Sequence, residues 1–388
     1  MEVATSSPED QFPTPNLTAK EIFQAYSRIS RHFIRTPLLR ADDQQEFRKT
    51  LFDAIKLNLI GHESGQTDTK LPEVYFKCEN HQVSGSFKFR GAVHALEKRS
   101  DRELRSGIVT YSTGKCPGKL GQSRLKFFLG KHALALIHAS KVIIEERDFR
   151  FETTVIMPVS AEKSKATAVR EAGAIVRRCG ANLGEPKYET KRLSQRTGKY
   201  LISPTDDSDI ILGQGTVALE ISEQLREGGT DELDVLILPC GGGGLLTGTT
   251  IFAHETKTKV FGAEPTSGGP QASLGIQRGK RYASPSTETI ADGLRSPLSP
   301  LNWHILKQQK YIQRWYSISE LQIKSALSLF FTCSGQVIEP SAAVAVAVLL
   351  SPDFGEHFRE SGSRWRIGVV VSGGNISLGR MQSLMTRD

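Results

Sequence analysis

Apolar residues recur at helical and at strand spacing in alternation along most of this chain. Ile22, Ala25, Tyr26, Ile29 and Phe33 share one helical face behind the Thr18–Glu21 pair, which has the form of a capping box. Pro37 ends that helical stretch and begins an extended one. The run Val74-Tyr75-Phe76-Lys77-Cys78-Glu79 reads as a strand, and Ala92, Val93 and Leu96 mark a helix after it. Further strands are expected at Gly107 to Tyr111, Thr154 to Met157, Ile175 to Arg177, Tyr200 to Ile202, Val235 to Leu238, Val260 to Ala263 and Ile367 to Val371. Helices fall between them, at about 161–172, in a polar stretch after Arg177, and from Thr216 to Leu225. Continuous apolar strands separated by helices predict an α/β protein with parallel sheets covered on both faces. No repeat of fixed period interrupts this order.

Candidate chemistry concentrates in Ser84-Gly85-Ser86-Phe87-Lys88-Phe89-Arg90-Gly91-Ala92, between the Val74–Glu79 strand and the helix that follows. Small residues let the backbone turn, with Ser86 a candidate N-cap. Lys88 then lies in the first helical turn, whose partial positive charge disfavours another cation. With Phe87 and Phe89 as neighbours, its amine should lose a proton more readily than a surface lysine, as Schiff-base chemistry requires. A single lysine beside a turn is more often a solvated residue, so the assignment needs companions.

Two glycine-rich turns supply them. Gly241-Gly242-Gly243-Gly244 follows the apolar strand Val235 to Leu238 and precedes a helix containing Leu245, Leu246 and Ile251. Glycines let N–H groups crowd an anion, and a helix N-terminus adds a favourable field. The run lacks the Gly-Lys-Ser/Thr of a nucleotide P-loop and the spacing of a dinucleotide fingerprint. Ser372 ends another apolar strand and is followed by Gly373 and Gly374. Each alone reads equally well as an ordinary turn.

Composition narrows the classes. The chain has 388 residues, 38% apolar and 24% charged, enough for a large core and two domains. Its net charge of +8 is spread along the sequence without a basic arm, which argues against a nucleic-acid site. Five scattered cysteines form no Cys-x-x-Cys pair, consistent with reduced thiols in a cytoplasmic protein and with no structural zinc. The longest apolar run, Ala342 to Leu350, is too short for a bilayer, so no membrane association is expected. Residues 1–17, polar and proline-containing, are expected to be disordered. The segment from Ala41 to Lys70 has helical character at Phe47, Leu51 and Ile55 and a polar end, with no function attached to it.

The lysine segment resembles that of the fold-type II pyridoxal-phosphate enzymes, specifically the serine/threonine dehydratase and serine racemase family (the tryptophan synthase beta-like fold). Arg35-Thr36-Pro37-Leu38, Pro239-Cys240 with the glycine run and Leu245, Thr289-Ile290-Ala291-Asp292-Gly293, Ile338-Glu339-Pro340 and Ser372-Gly373-Gly374-Asn375 match in the same order. The resemblance covers the chain from about Thr18 onward. It implies a homodimeric enzyme with a small domain at 91–200 inserted in a large one built from 18–90 and 201–388. By the same resemblance Lys88 carries pyridoxal 5'-phosphate, with Phe87 beside it. Gly241, Gly242, Gly243, Gly244 and Leu245 hold its phosphate, and Ser372 bonds its ring nitrogen. Ser112, Thr113, Gly114 and His132 would bind a small amino-acid substrate. The implied reaction is deamination of L-serine- or L-threonine-like hydroxy-amino acids to a 2-keto acid and ammonia. Racemisation is the runner-up, because Thr113 stands where racemase-like members place a serine hydroxyl as second acid/base. Glu264 matches the first ligand of their divalent-cation site, but Pro270 stands where a second acid belongs, and a helix-capping or surface role is the preferred reading.

One loop departs from the pattern. Family members continue Ser-x-Gly with Asn-His, whereas here Lys115 follows Gly114 and the pattern resumes at His132. The stretch from Lys115 to Gly130 holds Lys115, Lys119, Arg124 and Lys126 and no acid; without it the net charge would fall from +8 to +4. It is either translated non-coding sequence or a genuine insertion, and it leaves open a catalytically impaired homologue that still binds the cofactor. The chain is expected to fold but act weakly. Removal of the stretch with Lys131 changed to Asn is expected to restore the loop.

Overall fold

Strand β10 runs through the middle of the larger sheet and brings three of the matching motifs to one edge. The computed structural model describes residues 15–41, 53–55, 57–58, 72–112, 130–161, 163–180, 184–267, 271–282, 288–308, 311–361 and 365–386. Among these, β1 (Leu38–Arg40), β2 (Glu73–Cys78), β7 (Val235–Pro239), β8 (Lys259–Pro265), β9 (Arg314–Ile318) and β10 (Arg366–Val371) form a six-stranded sheet in the order β1-β2-β10-β7-β8-β9. Only the β1–β2 pairing is antiparallel. A second, four-stranded sheet joins β3 (Ile108–Tyr111), β4 (Thr153–Met157), β5 (Ile175–Arg178) and β6 (Tyr200–Leu201) in the order β5-β4-β3-β6, all parallel. The parallel strands expected from the sequence are present, buried on both faces in β2, β7 and β10.

Three helices position the site. The Lys88–Glu97 helix packs on the long Ser208–Glu227 helix, which packs in turn on Gly244–Ala253. The Ser208–Glu227 helix starts earlier than the expected Thr216 because Asp207 caps it, accepting from the N–H groups of Asp209 and Ile210 at 2.9 and 3.2 Å. Gly213 and Gly215 sit inside it, against the backbone of Arg90–Gly91 and Gly248. A Cβ on either would lie 2.6 to 2.8 Å from those atoms, so the glycines trade helix propensity for close helix contact. The opening helix Ala19–Ile29 carries the expected Thr18–Glu21 capping box. Residues 53–55 and 57–58 are helical, while Phe47, Leu51 and the polar end of that segment lie outside the described residues, as do residues 1–14. No helix among the described residues is long and apolar enough to cross a membrane.

Candidate active site

Parallel register sets β2, β10 and β7 side by side and aims their C-terminal ends the same way, with Val371 opposite Cys78. Ligand crevices of open parallel sheets lie beyond such ends. The turn after β2 carries Lys88, the turn after β10 carries Ser372, and the turn after β7 carries Gly241 to Gly243.

The first two turns are tied together. Ser86 and Gly373 form an isolated antiparallel bridge, Phe87 N–H donates to the Ser372 carbonyl at 3.2 Å, and Gly374 N–H donates to Gly85 O at 2.9 Å. Asn375 Nδ2 reaches back to Ser84 O at 3.0 Å. Ser86 is therefore a bridge residue and not the helix cap expected from the sequence. Phe87 occupies the cap position in helical conformation with no side-chain bond, and Ser86 Oγ is buried without a partner. The bridge claims the Ser86 backbone, and no helix N–H donates to its hydroxyl. Lys88 is the first helical residue, with Nζ 4.8 Å from the Phe87 ring centroid. Burial, and then the charge of Lys131, push its amine down to about 8, with Glu339 opposing.

The glycine turn is held open by its neighbours. Gly243 takes a left-handed φ of +97° and caps the Gly244–Ala253 helix, whose first intrahelical bond runs from Thr247 N–H to Gly243 O at 2.8 Å. The N–H groups before it have no acceptor within the helix. Asn302 Nδ2 pins the turn by donating to Gly242 O and Thr205 O, each at 2.8 Å. A Cβ on Gly242 would lie 2.3 Å from Thr205, and one on Gly244 would lie 2.3 Å from Gln214 Oε1, itself buried without a partner. Leu245 follows, buried in the first turn. The turn is a small concave set of backbone donors at a positive helix end, suited to a phosphate.

Ser112 directly follows β3, and Thr113 and Gly114 lie outside the described residues. The chain re-enters at Gly130, where an added Cβ would lie 2.5 Å from Ser112 Oγ. The two ends of the departing stretch thus meet. His132 stands in the first turn of the Lys131–Arg147 helix, with both ring nitrogens buried and unbonded. Burial, with a contribution from Lys88, pushes its imidazole down to about 3, so it is neutral.

Sequence reasoning missed the role of Lys131. Its Nζ pairs with Asp292 Oδ1 and Glu339 Oε2, both at 2.8 Å. Burial disfavours its charge, but the two carboxylates overcome this and hold the ammonium above the ordinary lysine range. The Lys131-to-Asn exchange expected to repair the loop would therefore strand two acids, one of them the buried Glu339. Both belong to matched motifs, so the signal was visible as acids without partners. Glu264 caps the Gln271–Arg278 helix: its oxygens accept from Ala272 N–H at 2.8 Å and Ser273 N–H at 2.9 Å. Pro270 lies outside the described residues. Among the described residues one three-ligand cluster, His32, Glu97 and Glu146, has metal-like spacing, but Arg31 already bonds both glutamates.

The features fit pyridoxal phosphate: an amine of lowered proton affinity, a turn of backbone donors packed too closely on Thr205, Asn302 and Gln214 to admit side chains, and unbonded polar atoms. A family model described as pyridoxal-phosphate dependent enzyme matches residues 54–373. A serine racemase from Dictyostelium discoideum is 32% identical over 96% of this chain and 99% of its own length. A beta-hydroxyaspartate dehydratase from Paracoccus denitrificans is 30% identical over 94% of this chain and 98% of its own. Among solved structures, maize serine racemase superposes with a TM-score of 0.76 at 28% identity, covering 96% of this chain and 97% of that one. The chain belongs to the pyridoxal-phosphate dependent enzymes of fold type II, and pyridoxal phosphate is its cofactor.

Proposed function

We propose that this enzyme is an ammonia-lyase, removing the β-hydroxyl and the amine of a small L-hydroxy-amino acid to leave a 2-keto acid and ammonia. L-serine would give pyruvate. The observation that carries the reading is the backbone bond from Phe87 N–H to the Ser372 carbonyl, which sets a serine, not an acidic residue, beside the lysine turn. When bound, pyridoxal phosphate supplies an electron sink for the substrate carbon that loses its proton.

Lys88 Nζ is the amine that would hold the cofactor, and the same amine would take the Cα proton. Gly241 to Gly244 hold the phosphate through backbone N–H groups, with Leu245 in the turn behind them and Phe87 beside the lysine. Ser372 Oγ would meet the ring nitrogen as a neutral partner. It does not compel that nitrogen to stay protonated, which weakens the sink and favours prompt loss of a β-leaving group. Ser112, Thr113, Gly114 and the start of the Lys131–Arg147 helix, with His132, bind the substrate carboxylate. The active unit is a homodimer.

A serine racemase is the second reading, favoured by the relatives that bear that name. Inversion needs a proton donor on the other face of the substrate, and Thr113 is the residue for it. Assay of L-serine, L-threonine and 3-hydroxyaspartate for keto acid, ammonia and D-isomer separates the two. Keto acid and ammonia that vanish in Lys88→Ala, without D-isomer, support the lyase. D-isomer as the main product establishes racemisation instead, and cofactor binding without any product leaves a homologue that has lost the chemistry.

A further inference from the structure

Lys131 occupies the first position of a helix whose cap, Gly130, offers no side chain. A cation there opposes the helix field. The fold offsets this with Asp292 and Glu339, each 2.8 Å from Nζ, and Glu339 is only 4% exposed. The other Glu339 oxygen, Oε1, lies over the bridge that precedes Lys88: a Cβ on Gly373 would meet it at 3.0 Å and Ser86 Cβ at the same distance. A line of contacts therefore runs from Lys131 through Glu339 to the turn bearing Lys88. We propose that Lys131 is a positioning residue which, by clamping Glu339, decides the charge that the Lys88 amine faces. The inference rests on the reading of Lys88 as the cofactor-bonding lysine.

Other charges packed on the Lys88–Glu97 helix are committed elsewhere. Glu79 and Glu220 bond Arg90, Asp209 bonds Lys98 and Arg99, and Glu97 bonds Arg31 and Arg147. His132 is neutral. Among the described residues the balance at Lys88 is thus left to one cation, Lys131, and one anion, Glu339, which act on it in opposite directions. Without Lys131 the cation that acts on Lys88 is gone, and Lys88 holds its proton more tightly. Without the Glu339 charge only Asp292 still opposes the ammonium of Lys131, and Lys88 releases its proton more easily. A residue that merely packs would not give opposite signs.

The test uses full-length protein and added pyridoxal 5'-phosphate, following the rate of covalent attachment against pH, with borohydride trapping and peptide mapping to locate it. The unsubstituted chain should show a midpoint at about 8. Lys131→Met should move it up by about one unit, roughly tenfold slower attachment below the midpoint. Glu339→Gln should move it down, and Lys131→Arg should restore the original profile. Midpoints unmoved, or moved in the same direction in both variants, overturn the inference. If Lys131→Met does not fold, Glu339→Gln decides alone: a downward shift supports the proposal, and no shift or an upward one overturns it. Attachment mapped to a residue other than Lys88 refutes the underlying reading, which distinguishes the two failures.

Discussion

Arg90 donates to Glu220 at 2.8 Å with both side chains closed to solvent. Lys77 reaches the same carboxylate oxygen at 2.5 Å, and Glu79 receives Arg90 at 2.7 Å. Two cations and two anions thus lie at 0% exposure where β2, the lysine helix and the Ser208–Glu227 helix converge. Burial lowers the proton affinity of Lys77, while Arg90 holds Glu79 ionised against the same burial. Breaking such a group leaves an uncompensated buried charge, at a cost of about 3–5 kcal/mol. Arg90→Met should lose that much stability in urea unfolding, whereas Arg35→Met, whose partner Glu227 is exposed, should lose less than about 1 kcal/mol. Equal losses would show that the cluster is not what locks the lysine helix.

Gly242 and Gly243 are each confined for a different reason. A Cβ on Gly242 meets Thr205 at 2.3 Å, and Gly243 stands at φ +97°, a backbone state that costs an L-residue about 1–2 kcal/mol. Alanine at either should leave the circular dichroism unchanged and weaken pyridoxal phosphate binding by about tenfold or more, as titrated by fluorescence. Unaltered affinity in both would remove the glycine turn from the phosphate site.

Acid should weaken the fold partly through two imidazoles. Burial pushes His132 down to about 3 and His94 to about 4. The unfolded chain binds these protons near pH 6.5 and the folded chain does not, so stability falls as pH drops from about 6.5 toward 3–4. Asp207, pushed up to about 6 by burial, works in the opposite sense between about 6 and 4. His132→Gln should therefore flatten the acid limb of stability against pH by up to about 1.4 kcal/mol per unit. An identical limb in the variant would mean that His132 is solvated in the folded chain.

Ser112 and Gly130 touch, so the stretch between them leaves and returns at one point. Closing a longer loop there adds only about 0.6 kcal/mol per doubling of length. Removal of Lys115 to Gly130, joining Gly114 to Lys131 and keeping that lysine, should give a chain that melts at the same temperature or a few degrees higher. Its keto-acid production should rise, because Gly114 would then lead straight into the Lys131–Arg147 helix; misplacement of a positioning group by about 1 Å can cost a hundredfold in rate. A deletion that fails to fold would show the stretch to be structural.

The sequence by itself determined which elements form and in what order. Apolar runs such as Val235 to Leu238 and Ile367 to Val371 leave few alternatives to buried parallel strands, and Thr18 with Glu21 fixes a helix start locally. It also marked Lys88, the glycine run and Ser372, because each follows a strand and carries its own local signature. Tertiary structure decided what depends on distant partners. Ser86 reads as a cap until Gly373, far along the chain, takes it into a bridge. Glu264 reads as a helix cap or a surface residue, and the Gln271–Arg278 helix decides for the cap by presenting two N–H groups to it. Lys131 reads as a residue to be replaced by Asn until Asp292 and Glu339 arrive from two other segments. Hydrophobic periodicity is written within one element, whereas the partner of a charge or a hydrogen bond is chosen by the packing of several, and only the folded chain brings those together.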